Sequence, residues 1–142
     1  MASGSTPMMR QYQSIRGKLS EDIVLLFRLG DFYEMFFGDA KRAAPILDVA
    51  LTRRNDVPMC GVPYHALDSY LTRLLKAGIK VAICEQVEDP AASKGVVKRE
   101  VTRIITPGTA TEDGILDSKR NNYLAAVCRA GNRHGLAMLD LS

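Results

Sequence analysis

Apolar residues in this chain switch between a helical period and a strand-like alternation, and the switches lay out an order of elements. Met8, Met9, Tyr12 and Ile15 fall at helical spacing, Thr6 suits an N-cap, Pro7 the first helical position and Gly17 the end, so a helix is expected over residues 6–18 with Arg10 and Arg16 outward. Residues 23–29 form a short apolar run suited to a buried strand, broken at Gly30-Asp31, and residues 32–36 read as a second extended piece. A helix with Ala40, Ala43, Ala44 and Leu47 on one side is predicted over residues 38–47, with a kink or early end at Pro45. Residues 49–53 resemble a strand, Asn55-Asp56 a tight turn, and residues 57–63, with two prolines and a glycine, an extended segment unlike a central strand. The stripe Leu67, Tyr70, Leu71, Leu74 and Leu75 predicts a helix over residues 65–77 capped by Gly78, followed by a mid-sheet strand over residues 79–87.

Residues 89–95 read as a loop or short helical turn, and residues 96–106 alternate apolar Val97, Val101 and Ile105 with Lys98, Arg99 and Arg103, as a strand with one watery or ligand-facing side does. Residues 110–122 are polar without a period and read as a linker; residues 123–128 and 136–141 form two further strand patterns. The order of elements predicts an α/β fold: a mixed central β-sheet flanked by helices over residues 6–109, preceded by a flexible leader at residues 1–5. After the linker, residues 123–142 are expected to be the first strands of a truncated second domain.

The 142 residues suffice for one ordinary domain with a real core, and 46% hydrophobic with 25% charged residues is a soluble balance. No apolar run approaches the ~20 residues that span a bilayer. Residues 1–5 lack the basic start and apolar stretch of a secretory signal, so the expected compartment is cytoplasmic and no membrane partner is expected. Cys60, Cys84 and Cys128 are widely spaced without a CxxC pair, and His65 and His134 lie far apart, which suggests neither a disulfide framework nor a zinc site. A net charge of +3 permits an anionic partner without demanding one.

The most informative stretch is Arg28-Leu29-Gly30-Asp31-Phe32-Tyr33-Glu34-Met35-Phe36. In an extended backbone Phe32 and Glu34 leave the same face while Tyr33 points away, which sets a flat apolar wedge beside a hydrogen-bond acceptor. Ordinary core is the competing account of Phe32, Met35 and Phe36. Burying Phe32 would, however, drag the Glu34 carboxylate inward, so core suits Tyr33 and Met35 better. Nucleotide-binding loops and zinc-hydrolase motifs are absent from the sequence. Cys60 with His65 as thiol and base, and Asp31, Glu34 and Glu85 as the magnesium site of a small nuclease, remain enzyme alternatives. The basic residues Arg53, Arg54, Lys94, Lys98, Arg99 and Arg103 suit phosphates or simply a solvated face. Beside an exposed Phe32 they fit minor-groove binding, in which apolar wedges unstack base steps.

Gly30-Asp31-Phe32-Tyr33-Glu34, Asp39-Ala40-Lys41-Arg42-Ala43, Leu51-Thr52-Arg53-Arg54, Met59 to Ala66, Val81 to Gln86 and Arg103 to Thr109 occur in that order, and the chain from Thr6 onward resembles the N-terminal mismatch-recognition domain of the bacterial MutS family. The resemblance places the family's Phe-x-Glu motif on Phe32-Tyr33-Glu34 and its DNA contacts on Leu29, Arg54, Met59 and Arg99. The link from Arg54 to Val57 is shorter than the loop many relatives carry. The implied partners are duplex DNA with mispaired or unpaired bases and the remaining domains of a homodimeric mismatch-repair ATPase. ATP and magnesium belong to the missing ATPase domain, so this chain is expected to need no cofactor and to catalyse nothing. A third reading has the chain only packing against its missing domains.

Overall fold

The computed structural model describes residues 6–88, 95–109, 121 and 123–140. Eight strands and three helices are present among them: α1 (Pro7–Arg16), β1 (Ile23–Leu29), β2 (Phe32–Phe36), α2 (Phe37–Leu47), β3 (Thr52–Arg54), β4 (Val57–Pro63), α3 (Leu67–Lys76), β5 (Lys80–Gln86), β6 (Arg99–Ile105), β7 (Tyr123–Ala130) and β8 (Arg133–Asp140). A six-stranded mixed sheet has the order β3-β4-β2-β1-β5-β6, with β1 and β5 parallel and the other pairs antiparallel; β7 and β8 form a separate antiparallel pair. The expected α/β fold with a mixed, helix-flanked sheet is present.

Alternation along the strands divides the core in two. Val24, Leu26, Tyr33, Met35, Val81 and Ile83 enter the cluster that α2 and α3 cover with Ala40, Ala43, Leu47, Leu71 and Leu74. Leu25, Phe27, Phe36, Ala82 and Cys84 leave the opposite face and meet Met9 and Tyr12 of α1. One face therefore carries two helices and the other a single short one.

Local chemistry explains most boundaries. Thr6 Oγ1 accepts the Met9 N–H at 3.3 Å, with Pro7 following it at the start of α1. At the end of α3, Gly78 takes φ +80 while its N–H and that of Ile79 reach the Leu75 and Leu74 carbonyls, so a reversed cap satisfies the helix end. Pro45 does not stop α2 at once: the helix ends two residues later, at Leu47, and Asp48 caps it at φ 55. Lys41, whose carbonyl loses its helical donor to Pro45, is exposed like Pro45 itself, which moderates the loss.

Several expectations are corrected. The strand expected over residues 49–53 begins only at Thr52, and α3 begins at Leu67 after a short 3-10 turn at Tyr64–Ala66. β4 pairs on both sides despite its prolines. Asn55 and Asp56, at φ 48 and 65, close a two-residue hairpin that makes Arg53↔Pro58 a non-hydrogen-bonded pair. The missing N–H of Pro58 then points past the end of β2, and that of Pro63 points to the side that three-residue β3 does not reach. On β6 the register slips between Ile83 and Cys84, so Thr102 is an extra residue that flips the alternation. Val101 consequently packs on the α1 face and Ile105 on the opposite one, instead of sharing a side. Arg16 does not face outward: it reaches Asp39 of α2 at 2.9 Å, and Asp39 also accepts the Leu25 N–H at 3.0 Å.

The β7–β8 hairpin is exposed along its whole length, Val127, Leu136, Met138 and Leu139 included. The leader at residues 1–5, nearly all of the linker, and the loop at residues 89–94 with Lys94 lie outside the described residues.

Candidate functional site

Gly30 and Asp31 join β1 to β2 in a two-residue turn, which Gly30 can make because it takes φ +57 without a Cβ penalty. The turn is tied down on both flanks. Gly30 N–H donates to Gln86 Oε1 at 3.1 Å, Arg28 Nε donates to the Gly30 carbonyl, and Tyr64 N–H donates to the Asp31 carbonyl at 2.9 Å. Such a turn fixes the hairpin register Leu29↔Phe32, Arg28↔Tyr33 and Phe27↔Glu34. Phe32 stands at the start of β2, 47% exposed, whereas Tyr33 and Met35 are buried on the other face. Phe32 is thus open to solvent and the core positions are those the alternation selects.

Glu34 leaves β2 on the same face as Phe32 but is only 8% exposed. Its cross-strand neighbour is Gly61, which supplies no side chain; a Cβ there would lie 3.5 Å from Glu34 Cγ and 4.0 Å from Phe32 Cδ1. Arg54 of β3 covers the carboxylate, with Nη1 at 2.8 Å from Oε2. Burial raises the Glu34 pKa above its ordinary value, and the Arg54 charge opposes that rise.

Leu29 and Met59 flank this pair on the same sheet face, each half-buried against the α1-side core. The face thus brings Leu29, Phe32, Glu34, Arg54 and Met59 together. Met59 is drawn in because the short hairpin sets it opposite Thr52, whose hydroxyl lies 3.1 Å from its sulfur.

Arg99 is different. It is on the same face but only 8% exposed, not on a wet strand side as expected. Its guanidinium donates to the Arg28 carbonyl at 2.6 Å, the Val97 carbonyl at 2.8 Å, Gln11 Oε1 at 3.0 Å and Gln86 Oε1 at 3.2 Å, and its Cζ lies 5.1 Å from the Phe27 ring centroid. It joins α1, β1, β5 and β6, and shares Gln86 with Gly30. Of the other basic candidates, Lys98 pairs with Glu100 at 2.7 Å, and Arg53 is exposed.

Behind the turn, on the opposite face, Tyr33 hydroxyl and Glu85 form a hydrogen bond and Arg28 lies between them and Tyr64, 3.9 Å above the Tyr64 ring. Burial, and then Glu85, push the Tyr33 hydroxyl pKa up to about 12. Arg28, Tyr64, Gly61 and Gln86 are given no role of their own by sequence reasoning, although the register of a two-residue hairpin alone sets Arg28 opposite Tyr33.

The enzyme alternatives meet specific obstacles. Glu85 bonds a tyrosine on the face opposite to Glu34, so Asp31, Glu34 and Glu85 do not converge on one ion. No cluster of metal-ligating side chains occurs among the described residues. Cys60 is buried with its thiol pushed up to about 11 by desolvation, and His65 is exposed beside Tyr64, so no thiolate–imidazole pair is set up. No helix of the described residues is long and apolar enough to cross a membrane.

The fold and the site together define a class: a mixed α/β domain with an unshielded aromatic and a countered carboxylate on a half-covered sheet face. Residues 6–114 match the family described as MutS domain I, and the chain belongs to the MutS family. It is similar to the proteins named DNA mismatch repair protein MutS from Pseudothermotoga lettingae, at 58% identity over 96% of the chain, and from Desulforapulum autotrophicum, at 53% over 96%. Its counterpart of that name from Solibacter usitatus is 51% identical over the whole chain. The chain spans 17%, 16% and 17% of these relatives, respectively.

Proposed function

We propose that this chain is the base-reading module of a DNA mismatch-repair ATPase, and that Phe32 enters the minor groove at a mispaired or unpaired base while Glu34 hydrogen-bonds that base. The observation that carries the reading is a half-exposed Phe32 at the tip of a braced hairpin, on the same face as a poised carboxyl. Unstacking a base step costs a few kcal/mol, and a mispair lowers that cost, so a rigid wedge converts weak stacking into affinity. Glu34 adds discrimination. Beside phosphates a carboxylate is unfavourable unless it gains a base hydrogen bond, and burial already favours its neutral form.

Leu29 and Met59 supply the apolar flanks of the wedge and Arg54 the phosphate-reaching charge. Arg99, committed to four groups of its own fold, serves as a positioning residue for the turn rather than as a direct contact. Nothing in this scheme makes or breaks a bond, so the chain needs no cofactor; ATP, magnesium, the homodimer contacts and the other domains belong to the full-length protein, in the cytoplasm.

The test uses full-length protein carrying this domain, with a G·T or unpaired-T duplex and its matched control. Phe32→Ala is expected to bring the two affinities within about twofold of each other. Retention of the wild-type preference removes the wedge from the scheme.

A further inference from the structure

Glu34 is not free to read anything while Arg54 holds it. The carboxylate is nearly buried, and among the described residues its charged partner is the Arg54 guanidinium, at 2.8 Å. The two groups differ in freedom. Glu34 is fixed in the centre of a strand paired on both sides, whereas Arg54 sits on a three-residue edge strand next to the Asn55-Asp56 turn and keeps 44% of its side chain exposed. A long exposed guanidinium beside duplex DNA has a second anion available, the phosphate backbone.

We infer that the Glu34–Arg54 ion pair is a latch on the reading carboxyl, opened when Arg54 passes to a DNA phosphate and Glu34 turns to a base, so that Arg54 governs discrimination through Glu34. This rests on the base-reading role of Glu34 proposed above. On a mispaired duplex, Arg54 exchanges one anion for another and Glu34 gains a hydrogen bond. On a matched duplex no base accepts Glu34, and opening the latch would leave a carboxylate facing phosphates. The latch stays shut there, and Arg54 neutralises the repulsion.

Removing Arg54 then acts unequally. On mispaired DNA the lost phosphate contact and the lost latch offset one another. On matched DNA the loss leaves Glu34 without its counter-charge, and binding weakens. Affinities of full-length protein for mispaired and matched duplexes test this with Arg54→Met, Glu34→Ala and the double variant, each checked for an unchanged circular dichroism spectrum at the assay temperature. Arg54→Met is expected to raise the mispaired-to-matched affinity ratio about threefold, the size of a half-exposed ion pair, chiefly by weakening matched binding. In the Glu34→Ala background the same change is expected to leave the ratio alone, and Arg54→Lys, which keeps the charge, to restore it near wild type.

An equal loss of affinity for both duplexes on Arg54→Met, as a plain phosphate contact gives, overturns the latch. So does a change of ratio that persists without Glu34. If Glu34→Ala alone leaves the ratio unaltered, the base-reading role itself fails, and that outcome is separate from failure of the latch.

Discussion

Phe32 and Phe36 leave the same face of the same strand four residues apart, yet one is 47% exposed and the other fully buried. The difference lies in what covers them. Phe36 meets Tyr12 of α1 edge-on, with ring centroids 4.9 Å apart, and Tyr12 hydroxyl donates to its carbonyl at 3.4 Å. Arg16, from the last turn of the same helix, closes on the nearby Asp39. At the other end of β2 no helix among the described residues reaches: a ten-residue helix is about 15 Å long, enough to cover one part of a six-stranded face and to leave the rest bare. The two ends teach that the proposed reading site is the part of a normal sheet face that the covering helix leaves bare, and that its turn is held by hydrogen bonds from Gln86 and Tyr64.

The strongest way to break this comparison is to remove each ring in turn. Phe36→Ala is expected to cost about 3–5 kcal/mol of unfolding free energy, and Phe32→Ala under about 1 kcal/mol, measured by urea unfolding. Similar losses at both positions would show that the Phe32 ring is core after all and that the two ends of β2 do not differ in kind.

Arg99 gives the next largest effect and tests the bracing. Arg99→Ala leaves two backbone carbonyls and two glutamine side chains without their charged donor, so a loss of about 2–3 kcal/mol is expected. If Arg99 only positions the Gln86–Gly30 contact, the variant in full-length protein weakens the mismatch preference without flattening the salt dependence of binding. A salt slope reduced by about 1 would instead mark a direct phosphate contact.

The sequence made much of this legible, for identifiable reasons. Two-residue periodicity separated Phe32 from Tyr33 and Met35, and Thr6-Pro7 marked the start of α1, because those signals are local. Asp39 and Arg99 were not read as buried, since each is satisfied by groups distant in sequence: Leu25 and Arg16 in one case, Gln11, Arg28 and Gln86 in the other. The bulge at Thr102 was equally hidden, because only pairing with β5 reveals which residue is extra. The Glu34–Arg54 pair depends on the hairpin that folds β3 back over β4, so no spacing rule on β2 alone could have found it.

The smallest expected effect sharpens the comparison within the open half, between a ring that water reaches and a carboxyl that it barely does. Burial holds the Glu34 pKa above its ordinary 4.5, so the folded chain binds this proton more tightly than the unfolded chain. Between 4.5 and the raised folded value the native state therefore carries more protons, and stability falls as pH rises through that window; below it both states are protonated and the penalty vanishes, and above it the penalty is constant. Glu34→Gln removes the titration. Its stability relative to wild type is expected to climb as pH rises from below 4.5 and then level off, by under about 1 kcal/mol, because water at the rim and Arg54 both screen the charge. Arg54→Met takes away the opposing charge and is expected to steepen the wild-type slope in the same window. Urea midpoints taken across pH 4 to 8 decide it: a flat difference between wild type and Glu34→Gln would mean that the carboxyl is as well solvated as the Phe32 ring, and that the open half of the face has no buried member.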